Sequence, residues 1–120
     1  MEKIYNFILY TLATLILFSC GSTKVDDIVS ESPDKKGKIK ISASRSNSLD
    51  PFDVTINLSG YGQDRSITMQ IFASNLSPEN VLFDWKNNTD CVVTFIQQDD
   101  TKRVLYIRID ENGLKLNEVG

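Results

Sequence analysis

Phe52-Asp53-Val54-Thr55-Ile56-Asn57-Leu58 alternates apolar and polar residues at every step, and this period of two decides the fold. Consecutive strand residues point to opposite faces of a sheet, so Phe52, Val54, Ile56 and Leu58 line one buried face. Asp50-Pro51 just before it is a turn and strand-start signal. On the N-terminal side, Lys38-Ile39-Lys40-Ile41-Ser42-Ala43 has the same period, with Ile39, Ile41 and Ala43 inward. On the C-terminal side, Gly60-Tyr61-Gly62-Gln63-Asp64 breaks the pattern, and Ser66-Ile67-Thr68-Met69-Gln70-Ile71 resumes it with Ile67, Met69 and Ile71 inward.

The C-terminal half is richer in Val, Ile, Phe and Tyr. Cys91 to Gln97 and Arg103 to Asp110 read as strands joined by the loop Gln98-Asp99-Asp100-Thr101-Lys102. Both carry apolar residues on both faces: Val92 and Ile96 stand opposite Val93 and Phe95, and Val104 and Tyr106 stand opposite Leu105, Ile107 and Ile109. Two-sided apolarity places them in the middle of the fold. Asn112-Gly113 tolerates positive φ at both residues and turns the chain into a last strand at Leu114-Lys115-Leu116. Residues 79–86 are ambiguous. Ser77-Pro78-Glu79 can open a short helix, whereas alternation of Val81, Phe83 and Trp85 followed by the Asn87-Asn88-Thr89-Asp90 turn favours a strand.

The sum is an all-β domain of about seven short strands: a small antiparallel β-sandwich with an immunoglobulin-like strand count, or a partly closed barrel. The Cys, Trp, Cys arrangement of true immunoglobulin domains is absent, so the likeness is one of architecture. At 120 residues the chain has room for one such domain, expected over 38–120. The stretch 20–37, rich in Ser, Asp and Lys, reads as a flexible tether. The net charge of -3 argues against a basic face for nucleic acid.

The first twenty residues carry a different signal. Met1-Glu2-Lys3 leads into an apolar run from Ile4 to Phe18 that ends at Leu17-Phe18-Ser19-Cys20. Such a run reaches only about 22 Å at ~1.5 Å per residue, short of the ~30 Å hydrocarbon core, and suits a signal-peptide helix better than a spanning one. The ending resembles the lipobox of bacterial lipoprotein precursors, with an aliphatic residue three before the cysteine and a small residue next to it. Phe18 departs from the commoner Ala, Ser, Thr or Val. The resemblance implies a signal peptide over 1–19, cleavage before Cys20, a diacylglycerol on the Cys20 thiol and a further acyl chain, such as palmitate, on its amino group. Two or three chains, at ~0.8 kcal/mol per buried methylene, hold a protein on a membrane effectively for good. Gly21, in place of an inner-membrane-retaining Asp, implies the outer membrane. Lys24-Val25-Asp26-Asp27 is loosely similar to the acidic export tag of Bacteroidota surface lipoproteins, and equally reads as a charged solvated tether.

The chain has no histidine, so Ser/His/Asp and Cys/His catalysis in their usual forms are excluded along with imidazole zinc sites. Committing Cys20 to lipid leaves Cys91 without a partner, and its apolar neighbours make it a small buried hydrophobe. Asp99-Asp100 and Asp110-Glu111 are the densest carboxylates and sit at expected hairpin tips, where solvated turn residues are the rule. Tyr61, between two glycines and near Arg65, is the one loop suited to contact, an exposed ring beside a guanidinium that could stack on sugar or peptide. Trp85 reads as core. No cofactor or metal is called for. The expectation is a lipid-anchored, non-catalytic binding, inhibitory or accessory module of the cell envelope, held to the membrane through Cys20 and meeting a protein or glycan partner. One alternative is a structural subunit of an envelope or surface assembly that pairs through an edge strand. A further one is a carboxylate-dependent hydrolase.

Overall fold

Each alternating run in the sequence forms a strand, and from β2 onward each strand pairs with the next within its own sheet. The computed structural model describes residues 23–119. The signal peptide expected over 1–19 and the lipidation expected at Cys20 lie outside the described residues. Nine strands follow in order: β1 Thr23–Lys24, β2 Ile28–Glu31, β3 Gly37–Arg45, β4 Phe52–Gly60, β5 Gln63–Ile71, β6 Val81–Trp85, β7 Asp90–Ile96, β8 Lys102–Asp110 and β9 Gly113–Val119. All pairings are antiparallel. One sheet is formed by β3, β4 and β5 with β1 and β2 both paired to the outer side of β3; the other runs β6-β7-β8-β9. The two sheets stack as a sandwich and do not close into a barrel. Each sheet is a simple meander, so the topology is not the Greek key of immunoglobulin domains.

Two expectations are refined. Residues 81–85 are strand, because Val81, Phe83 and Trp85 are the residues that face the core. The tether expected over 20–37 is corrected within its described part: Ile28 to Glu31 pair with Ile41 to Lys38, Ile28 is buried, and Thr23–Lys24 pair with Arg45 and Ser44. The polar composition of this stretch concealed a strand because an edge strand has little to bury. Here one aliphatic anchor and a backbone ladder suffice.

The core lies between the sheets. Phe52, Val54, Ile56 and Leu58 from β4 and Leu105, Ile107 and Ile109 from β8 are almost wholly excluded from water, each at about 1.5–3 kcal/mol of apolar transfer. Gly37 and Gly60 face each other in the β3–β4 register and leave the space that Ile109 fills. A Cβ on Gly60, whose φ is +154°, would come 2.6 Å from Lys36 O and 2.8 Å from Ile109 Cγ2.

The sandwich has two ends. At the upper end are the turns 32–36, 61–62, 86–89 and 111–112; at the lower end are Thr23, the loop 46–51, Phe72 and the loop 97–101. The link from β5 to β6 crosses the lower end, where Ala73 and Leu76 are buried. Arg45 holds this crossing: its Nη1 and Nη2 donate to Ala73 O (3.2 Å) and Ser74 O (3.0 Å), and the guanidinium lies 4.3 Å from the Phe52 ring centroid.

Candidate functional site

Tyr61 and Arg65, the contact residues expected from sequence, are separated in role. Tyr61 and Gly62 form a two-residue turn with φ of 55° and 72°, the values that close a type I′ hairpin, and this puts the Tyr61 ring at the upper tip, 38% exposed. Arg65 crosses between the sheets instead, its Nη1 donating to Leu114 O at 3.0 Å. Near the lower end Arg103 makes a second strap, with Nη1 donating to Gln70 O at 2.6 Å while Nε and Nη2 grip Glu118. The two arginines stitch the β5–β9 seam. Trp85 closes the β2–β6 seam from its half-buried position, its Nε1–H donating to Ser30 Oγ at 2.9 Å.

The carboxylates named in the sequence are held apart. Asp99-Asp100 and Asp110-Glu111 flank opposite ends of the nine-residue β8, about 30 Å apart at ~3.4 Å per residue. Asp99 accepts the N–H of Thr101 within its own turn, which holds its carboxyl below the usual range together with the Thr101 hydroxyl, the larger influence. Cys91 is 1% exposed, and burial pushes its thiol up to about 12, so no reactive thiolate forms there at neutral pH. Among the described residues no cluster of His, Cys, Asp and Glu could hold a metal ion.

The outer faces of the two sheets differ. That of β3–β5 is polar: Ser42, Thr55 and Thr68 share one cross-strand row, Lys40, Asn57 and Ser66 another. That of β6–β9 carries the row Leu82, Thr94, Val104, Val119 and above it the row Asp84, Val92, Tyr106, Asn117. Leu82, Tyr106 and Val119 are exposed, Tyr106 at 53%. Two-sided apolarity in β7 and β8 predicts strands covered on both faces. They are indeed the inner strands of their sheet, but the described chain covers only one face. The sequence signal for this site is therefore the apolar half of β7 and β8 that the core does not use.

Around Tyr106 the face forms a shallow hollow of about 320 Å³, lined by Lys86, Asp90, Val92, Arg108, Lys115 and Asn117 among others. Its charges are positioned by one another. Arg108 Nε and Nη2 grip Asp90 Oδ1 (2.7 Å) and Oδ2 (3.1 Å), and this pairing, with further bonds from Asn87 and Thr89, lowers the Asp90 carboxyl to about 2. Lys86 pairs with Asp84, which raises its pKa. The hollow offers a ring face for stacking, flanked by the paired charges Asp90–Arg108 and Lys86–Asp84. A second, larger cleft of about 620 Å³ runs along β2 between Lys24–Val29 and Asn75–Pro78. Compared with known protein families, curated proteins and solved structures, the chain matches none of them.

Proposed function

We propose that this protein is a lipid-anchored, non-catalytic binding module of the bacterial cell envelope that meets a protein or glycan partner with the outer face of β6–β9. The observation that carries the reading is the asymmetry of the two faces. A sheet with no partner is expected to alternate apolar-in and polar-out, as β3–β5 do, whereas β6–β9 present Leu82, Val92, Val104 and Tyr106 to the outside. The lipobox-like Leu17-Phe18-Ser19-Cys20 supplies the anchor, and Gly21 favours the outer membrane. The separation of the two carboxylate pairs speaks against hydrolysis by them.

A photo-crosslinking side chain placed at Tyr106, Val29 or Thr68 in the full chain, in cells of the source organism, tests the reading. Adducts from Tyr106 and none from Thr68 support it. Adducts from Val29 alone favour pairing along β2, the structural-subunit reading that the cleft beside this strand supports. Equal yields at Tyr106 and Thr68 would contradict a dedicated face.

A further inference from the structure

Only Gly21 and Ser22 separate Cys20 from Thr23, the first residue held in the sheet, opposite Arg45 at the lower end. At ~3.6 Å per residue, such a link reaches about 11 Å when fully extended. A lipid on Cys20 thus leaves the domain no room to stand away from its membrane. Apart from the β6–β9 face, the two most exposed large apolar side chains stand at this same lower end. Leu49, at the tip of the loop 46–51, is 92% exposed, and Phe72, where β5 leaves its sheet, is 52% exposed. Their backbones are fixed. The Leu49 N–H donates to Asn47 Oδ1 (2.9 Å); the Phe72 N–H donates to Gln97 Oε1 (3.1 Å) and its carbonyl accepts the Gln98 N–H (3.0 Å).

We propose that this end of the sandwich rests on the lipid bilayer, with Leu49 and Phe72 inserted at the interface, so that the domain stands upright on its anchor. The proposal rests on the lipoprotein reading of Cys20 and adds an orientation to it. The contact is apolar rather than electrostatic. The nearby carboxylates of Asp50 and Asp99 are engaged within their own turns by Asn47 and Thr101, Asp100 lies beside them, and the cations Lys24, Lys102 and Arg45, the last already bonded to Ala73 O and Ser74 O, do not outnumber the three. Upright strands carry the Tyr61 tip about 30 Å from the bilayer at ~3.3 Å per residue and leave the Tyr106 face open sideways.

The test uses the acylated protein, purified and reconstituted into phosphatidylcholine vesicles that carry a nitroxide quencher on their acyl chains. Cys91 is buried and Cys20 is blocked by lipid, so an environment-sensitive fluorophore can be placed on Leu49→Cys, Phe72→Cys or Tyr61→Cys. Expected is quenching several-fold stronger at the first two positions than at Tyr61, unchanged when anionic lipid is added. With the fluorophore on Ser48→Cys, the pair Leu49→Ser and Phe72→Ser should lower the quenching. Equal quenching at all three positions in palmitate-labelled protein overturns the docking and leaves the anchor standing; protein that carries no palmitate overturns both.

Discussion

The indole N–H of Trp85 on β6 donates to the hydroxyl of Ser30 on β2 across 2.9 Å, joining the edges of two sheets that share no backbone ladder. This bond and the burial of Ile28 make β2 part of the body. For the anchor proposed on Cys20 the consequence is a short reach, because only Gly21 and Ser22 separate it from Thr23, the first residue paired in the sheet.

Trp85→Phe keeps a ring in place and removes the donor, and Ser30→Ala removes the acceptor. Each should lower stability by about 0.5–1.5 kcal/mol, and the double mutant should cost less than the sum by about 1 kcal/mol in urea unfolding. Amide exchange in β2 should accelerate in both single mutants.

Gly60→Ala should destabilise by about 2–4 kcal/mol, since its Cβ would meet the Lys36 carbonyl and Ile109 at contact distances that neither can relieve without moving a sheet. Gly62→Asn is the control: nothing lies within 4 Å of its Cβ, and Asn tolerates the φ of +72°, so the cost should stay within about 1 kcal/mol. Urea midpoints of the two variants check both values.

The legible part of this fold is the part with a buried face. Ile39, Ile41, Val54 and Ile56 announce their strands by alternation, and the break at Gly60-Tyr61-Gly62 marks its turn; the Asn112-Gly113 signal marks the last hairpin one residue late, since the turn is Glu111–Asn112, Gly113 already pairs with Asp110, and Asn112 keeps a negative φ. β2 was hidden because Val29-Ser30-Glu31 has no period to read. The Tyr106 face was visible only as an excess of apolar residues in β7 and β8, and sequence alone does not distinguish a strand covered twice by its own chain from one that keeps a face for a partner. Arg65 was legible as a cation but not as a strap, since its acceptor, Leu114 O, lies far away in sequence.

Acid should weaken the hollow before it unfolds the core. Asp90 has its carboxyl lowered to about 2 in the folded state by Arg108 first. A depressed folded pKa contributes stability that is present above the unfolded value, ~3.9, and is lost as pH falls toward 2. The urea midpoint of the wild type should therefore drop between about pH 4 and pH 2, and Asp90→Asn should remove part of that drop while being less stable at pH 7.

In a Cys20→Ser protein, Cys91 should resist alkylation at pH 8 in native buffer and react fully in guanidinium. Cys91→Ser should cost about 1–3 kcal/mol, because it puts a hydroxyl in place of a buried sulfur among apolar neighbours.

The anchor is the central claim, and metabolic labelling with palmitate tests it most directly. The wild-type chain, expressed in a bacterium with a lipoprotein-processing pathway, should incorporate label and shorten by the 19 residues before Cys20, whereas Cys20→Ser should do neither. Equal labelling of the two, or no label in either, would contradict the account.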